Sequence, residues 1–110
     1  MGTAVAGFNH CEHTKPQVCS KQWNSKGWKF QGLAKNLSKS TIHGLMGAYL
    51  RDPKGGWHFY WNKKTSTLAH GKTATSKVVK CPKGWEAQGV WDATPGKAGG
   101  NWYSAVTICK

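Results

Sequence analysis

The sequence predicts an all-β fold, a small disulfide-stapled antiparallel sandwich or barrel of six to seven short strands. Three observations carry that prediction. Alternating apolar and aromatic runs recur at roughly ten-residue spacing between turn residues. Glycine is abundant, 14 of 110 residues, and the long Ala/Leu/Glu-rich runs of a helical protein are absent. Four cysteines accompany an apolar share of only 38%, an even count in a small chain with a thin core. The length, residues 1–110, is that of one domain.

In chain order, residues 1–27 read as irregular, with Pro16, the Asn24-Ser25-Lys26-Gly27 turn and two of the cysteines. Met1 to Gly7 lacks a basic start and a long apolar run, so no secretory leader is expected there. No run of about twenty apolar residues marks a membrane helix. Trp28 to Leu33 alternates and reads as a strand, with Trp28, Phe30 and Gly32 on one side and Lys29, Gln31 and Leu33 on the other. Leu33 and Leu37 are spaced for one helical turn over residues 33–39. Asn36-Leu37-Ser38 within it is an N-glycosylation sequon. Thr41 to Leu50 is compatible with a helix or a strand. Gly44 and Gly47 weigh against the helix, so a strand is expected.

Asp52-Pro53-Lys54-Gly55 has the residues of a tight turn. It leads into Gly55-Gly56-Trp57-His58-Phe59-Tyr60-Trp61-Asn62, five consecutive rings counting the imidazole. Aromatic residues favour a pleated, half-buried surface, so this is a strand paired back onto Met46 to Arg51. Alternation puts Trp57, Phe59 and Trp61 on one face, expected to centre the core. His58 and Tyr60 fall on the opposite face, taken as the more polar one, as candidate ligand contacts. Asn62 to Thr65 reads as a turn. Ser66 to His70 and Ala74 to Lys80 are candidate strands. Trp85 to Trp91 alternates, Asp92 to Gly100 is a Gly-, Pro- and Lys-bearing loop, and Trp102 to Cys109 is the last strand.

Four cysteines allow three pairings. Cys11–Cys19 and Cys81–Cys109 are expected, the second contributing roughly 3–4 kcal/mol by the loop-entropy relation. Zinc competes at His10-Cys11-Glu12-His13 with Cys19. No Cys-x-x-Cys pair exists and Cys81 and Cys109 lack close partners, so no metal and no cofactor are expected. One internal echo is visible: Cys19-Ser20-Lys21-Gln22-Trp23 matches Cys81-Pro82-Lys83-Gly84-Trp85 at Cys, Lys and Trp.

Cys81-Pro82-Lys83-Gly84-Trp85, then Gly89, Trp102 and Val106-Thr107-Ile108-Cys109, resembles a Cys-Pro-x-Gly…Gly…Trp…Cys pattern of bacterial secreted and cell-surface β-domains. The resemblance covers about thirty residues of the last third. Val90-Trp91 stands where that pattern usually has a glycine cluster. It implies an exported β-domain and no particular activity.

Charge narrows the function. Sixteen basic and four acidic residues give +12, and Arg51 is the lone arginine among fifteen lysines. Such a surface attracts polyanions: acidic glycans, lipopolysaccharide, anionic lipid or nucleic acid. Lysine is a mobile point charge, whereas base reading favours arginine, so diffuse attraction is expected. Catalysis is poorly supplied. Asp52 and Asp92 suit turns, which leaves Glu12 and Glu86 and argues against a carboxylate-pair hydrolase. The expected function is therefore a secreted or cell-surface, non-enzymatic binding domain, lectin- or adhesin-like, for lipopolysaccharide or cell-wall polysaccharide. The alternatives are a secreted cationic antimicrobial or toxin-like protein acting on anionic membranes, a secreted ribonuclease using His and Lys, and single-strand nucleic-acid binding.

Three segments mix rings that stack with lysines or glycines: Lys21 to Asn24, Lys26 to Lys29, and Gly99 to Tyr103. The expected site lies by the last strand, with Trp102 and Tyr103 for stacking, Lys97 from the same loop, and Lys83 brought in through the Cys81–Cys109 bridge. Trp28, His58 and Tyr60 complete the ligand-contacting set.

Overall fold

The structure is a computed structural model that describes residues 7–110; the reading of residues 1–6 as a start without a leader lies outside them. Eleven strand segments are formed: β1 (Asn9–Glu12), β2 (Gln17–Asn24), β3 (Trp28–Lys35), β4 (Ile42–Arg51), β5 (Trp57–Trp61), β6 (Ser66–Leu68), β7 (Thr73–Thr75), β8 (Val79–Lys80), β9 (Glu86–Asp92), β10 (Asn101–Tyr103) and β11 (Thr107–Ile108). They make two antiparallel sheets. One has the order β1-β2-β3-β7, with β8 also on β3. The other has the order β10-β9-β4-β5, with β11 also on β9 and β6 on β4. The expected two-disulfide β-sandwich is present, and the bridges join Cys11 to Cys19 and Cys81 to Cys109. Both cysteines of the zinc reading, Cys11 and Cys19, are consumed by a disulfide and cannot ligate. Among the described residues no helix is long and apolar enough to cross a membrane.

The core lies between the sheets in two patches. Phe30, Ala48, Leu50 and Ala87 pack with Cys81 and Cys109 at one end. Val18, Ala34, Met46, Leu68 and Trp91 pack at the other. Between the patches the sheets meet at Gly32 and Gly89, where a Cβ on Gly32 would stand 2.7 Å from the Gly89 Cα. Only glycine permits that approach. Outside the first sheet, Phe8, Cys19 and Leu33 form a third small cluster.

Four expectations are corrected. Residues 9–12 and 17–24 are strands, because the Cys11–Cys19 bridge clamps a hairpin rather than a loose loop. Residues 33–39 hold no helical turn. Leu33 and Ala34 stay in β3, and Asn36 is fully buried, its amide donating to Ser40 O at 2.7 Å and Leu68 O at 2.8 Å. The sequon asparagine is thus a structural brace. Most consequentially, Trp57, Phe59 and Trp61 do not centre the core. In register, Leu50 lies opposite His58 and Ala48 opposite Tyr60, so the interior side of β5 carries His58 and Tyr60. The three-ring face is turned outward with Tyr49, and Trp57 is 63% exposed. Finally, the Cys19–Trp23 echo of Cys81–Trp85 is not the structural repeat.

The true repeat is larger. Lys26-Gly27-Trp28-Lys29-Phe30-Gln31-Gly32 and Lys83-Gly84-Trp85-Glu86-Ala87-Gln88-Gly89 share Lys-Gly-Trp-x-x-Gln-Gly. Each run is completed by a Ser-x-Val-x-x-Cys segment, Ser76 to Cys81 for the first and Ser104 to Cys109 for the second. The hydrogen bonds repeat with the letters. Ser76 Oγ accepts from Gly32 N at 2.9 Å, and Ser104 Oγ accepts from Gly89 N at 2.8 Å. Gln31 Nε2 donates to Ser76 O and Gln88 Nε2 to Ser104 O. Cys81 N donates to Trp28 O and Cys109 N to Trp85 O. In each sheet the serine interrupts what would be one long strand and spends its hydroxyl on the facing glycine amide, one buried donor satisfied in each sheet. The predicted strands over residues 74–80 and 102–109 are each split there. The Cys81–Cys109 disulfide therefore joins equivalent positions of two similar sheets.

Candidate functional site

The repeat presents two Lys-Gly-Trp turns, Lys26 to Trp28 in the β2–β3 connection and Lys83 to Trp85 before β9. The Asn24 side chain accepts from Gly27 N at 3.3 Å, and Ser25 N donates to Gly27 O at 2.9 Å, closing a turn that projects Lys26 and starts β3 at Trp28. β8 pairs with β3 so that Lys80 lies directly opposite Lys29. Gly84 N donates to Cys109 O at 2.8 Å, and together with the disulfide this draws the Lys83 turn and Lys110 to the same place. Lys26, Lys29, Lys80, Lys83 and Lys110 thus line one cleft of about 290 Å³ with Trp28, and no Asp or Glu is among its walls. Like charges directly opposed across a sheet are destabilising, so this arrangement costs stability.

Trp28 also borders a second cleft, of about 560 Å³, on its other side, between β2 and β11. Ser20, Gln22, Trp28, Thr107, Ile108 and Lys110 are among its walls. Gln22 Nε2 donates to Thr107 Oγ1 at 2.7 Å and to Ile108 O at 3.1 Å. Because Ile108 O can only accept, the amide orientation is fixed and Gln22 Oε1 is left as an acceptor. Gln22 Oε1 and Ser20 Oγ are both buried without a hydrogen-bond partner.

The outer face of the second sheet is an aromatic surface. Tyr49 stacks on Phe59 at 4.7 Å, Phe59 on Trp61 at 5.4 Å, and Trp57 and Tyr103 close on Tyr49 at 5.4 and 5.8 Å. Arg51 lies 6.0 Å over the Trp57 ring. Burial among these rings raises the Tyr49 phenol above its ordinary pKa.

The sequence-predicted site is dispersed by this geometry. Trp102 and Tyr103 are neighbours on β10 and point to opposite faces, Tyr103 into the aromatic surface and Trp102 toward His13, 5.0 Å away. Lys97 sits in the loop after β9, whereas Lys83 precedes β9. Seven residues of strand separate them by roughly 20 Å or more. The Cys81–Cys109 bridge does gather residues around Lys83, but they are Trp28 and the other lysines, not Lys97. His58 serves the fold. Its Nε2 lies 2.8 Å from Asp52 Oδ2 and its ring 4.9 Å from Trp85. The His58 hydrogen bond, then the Gly56 amide, hold the Asp52 carboxyl below the ordinary carboxylate pKa. Tyr60 is 37% exposed at the sheet edge. Of the predicted contacts, Trp28 and Lys83 come together. Gln22, Lys26 and Lys29 fall in the ring-and-lysine segments read from the sequence, and Ser20, Lys80 and Lys110 join them only in the fold. The repeated Lys-Gly-Trp-x-x-Gln-Gly was the signal in the sequence that marks this end of the molecule.

Four of the five histidines of the ribonuclease alternative have different partners, His13 with Trp102, His43 with Thr67, His58 with Asp52 and His70 with Ser38 O, and His10 lines the larger cleft. Among the described residues no group of three or more His, Cys, Asp or Glu is placed to hold a metal ion. Comparison with protein-family models, with curated proteins and with solved structures finds no match.

Proposed function

We propose that this protein is a non-enzymatic binding domain for acidic glycans, the class to which lipopolysaccharide and acidic cell-wall polysaccharides belong, and that it works outside the cytoplasm. One observation carries the reading: five lysines and Trp28 line a single cleft with no Asp or Glu among its walls. Lysine ammonium groups supply long-range attraction, and the indole supplies a flat apolar surface for the C–H face of a sugar ring. Flexible point charges suit sulfate, phosphate or carboxylate groups spaced irregularly along a polymer better than the bidentate geometry of base recognition. Two disulfides in a small chain fit an oxidising compartment.

The test compares the parent with a Lys29→Gln/Lys80→Gln double variant on immobilised lipopolysaccharide, polyuronate, neutral dextran and single-stranded DNA. Expected are binding to the two acidic glycans that weakens with salt, and a loss of about tenfold in the double variant at low salt. Equal binding to dextran, or a double variant that binds like the parent, overturns the reading. Tighter binding to DNA than to either glycan moves the assignment to single-strand nucleic acid. Dye release from anionic vesicles moves it to membranes.

A further inference from the structure

β2, β3, β7 and β8 of the first sheet match β4, β9, β10 and β11 of the second, and the counterparts of the larger cleft are informative. Register equates Ser20 with Ala48, Gln22 with Leu50 and Trp28 with Trp85, since these pairs stand opposite equivalent positions of β3 and β9. On the other wall, Thr107 and Ile108 correspond to Val79 and Lys80. In the second copy this place is packed shut. Ala48 and Leu50 are fully buried in one cluster with Phe30 and Ala87, Val79 and Trp85 pack against that cluster, and the His58 ring covers Trp85. In the first copy the same place is a cleft of about 560 Å³ lined by Gln22 and Ser20, whose Oε1 acceptor and hydroxyl are buried without partners. The plan of the fold therefore does not require the cleft. Leu and Ala fill the equivalent position, and the chain instead holds Gln and Ser there against the cost of leaving polar atoms unpaired.

We infer that the cleft between β2 and β11 binds a sugar residue through its hydroxyl groups, while the adjoining lysine cleft takes an acidic substituent of the same residue or of its neighbour in the chain. This rests on the reading of the lysine cleft as an anion site. Gln22 Oε1 accepts only, its amide protons being committed to Thr107 and Ile108, so what meets it must donate. A bare sulfate ion has no such donor and meets the carbonyl oxygen repulsively. A sugar hydroxyl donates to it, and a second hydroxyl reaches Ser20 Oγ. Trp28 and Lys110 belong to both clefts. The indole and one ammonium thus lie between the hydroxyl-reading side and the charge-reading side. The ligand class is an acidic sugar, a uronic acid or a sulfated or phosphorylated hexose, rather than a polyanion as such.

The experiment uses the full chain and two probes, a uronic-acid tetrasaccharide and poly(vinyl sulfonate), which has charge but no hydroxyl. The variants are Gln22→Leu and Ser20→Ala, each the residue type found at the equivalent position, and Lys29→Gln/Lys80→Gln. Expected for Gln22→Leu is a loss of about tenfold for the tetrasaccharide with poly(vinyl sulfonate) binding unchanged, the effect of one lost hydrogen bond. Ser20→Ala follows in the same direction with a smaller loss, and thermal melts of both stay at or above that of the parent. The lysine double variant weakens both probes. If Gln22→Leu and Ser20→Ala bind the tetrasaccharide like the parent, the hydroxyl site is wrong while the lysine cleft stands. If they lose both probes equally with unchanged melts, the cleft does not discriminate sugar from charge, and the inference is again overturned. A lysine double variant that binds both probes like the parent overturns the anion site, and this inference with it.

Discussion

The two ends of the repeat differ in what each does with the same backbone. Around Trp85 the interior is closed with Leu50, Ala48 and Val79, and His58 caps the indole while bracing the Asp52 turn. Around Trp28 the equivalent space is open, its walls carry Gln22 and Ser20, and lysines crowd the rim. One copy is committed to holding the sheets together. The other gives up packing and tolerates unpaired acceptors and opposed ammonium groups. Strain and unsatisfied polar groups collect at functional sites because the remaining structure compensates for them. The difference puts the packed interior in one half and the open, lysine-rimmed clefts in the other.

The largest test of that contrast is truncation at the matched positions. Leu50→Ala removes a fully buried side chain and is expected to cost about 2–5 kcal/mol. Gln22→Ala, at the equivalent position beside an existing cleft, is expected to cost about 1 kcal/mol or less, the net worth of its hydrogen bonds. Urea unfolding of the two variants measures both. Equal losses would mean that the halves share the stabilising work. A second test asks where the halves are alike. Ser76→Ala and Ser104→Ala each strand a buried glycine amide, and each is expected to cost about 1–3 kcal/mol, the two within about 0.5 kcal/mol of one another. A difference above about 1 kcal/mol would limit the repeat to shape without shared energetics.

The smallest effect concerns the His58 brace. The carboxyl of Asp52 is held low in the fold, so its contribution is present above the ordinary carboxylate pKa and lost as pH falls through the folded value. Asp52→Asn should therefore melt below the parent at neutral pH, by a margin that shrinks as pH drops below about 4. A margin that stays constant down to pH 2 would show that the turn, not the charge, carries the effect.

Much of the fold was legible in the sequence because its signals are local. The Asp52-Pro53-Lys54-Gly55 turn, the alternation of Trp28 to Leu33 and of Trp85 to Trp91, and the cysteine pairings each depend on a few neighbouring residues. Alternation separates two faces of a strand without saying which is inside. For β5 that choice is made by β4, whose Ala48 and Leu50 face the interior and leave Tyr49 with the outer rings. Ring-rich Trp57, Phe59 and Trp61 were therefore placed on the wrong side. The site was less legible for a different reason. Its lysines come from three stretches of chain, drawn together by the pairing of β8 with β3, the Cys81–Cys109 link and the Gly84–Cys109 hydrogen bond. The repeat that marks the place was readable as letters, but its tail segments follow at unequal distances. β4, β5 and β6 lie between the first run and its Ser76 tail, so a search at one fixed period misses it.

That interleaving has a consequence for how the chain acquires its shape. β4 leaves the first sheet before β7 and β8 have been made, and builds the second sheet against a β9 that comes still later. Neither sheet is assembled from one uninterrupted piece of sequence. Contacts at long sequence separation must form before either sheet is complete, which places the protein among slow folders for its size. It also ties the open half to the closed one. Amides of β3, beside the clefts, are therefore expected to exchange with solvent as the packed half opens, so that the open end shares the protection of the closed one.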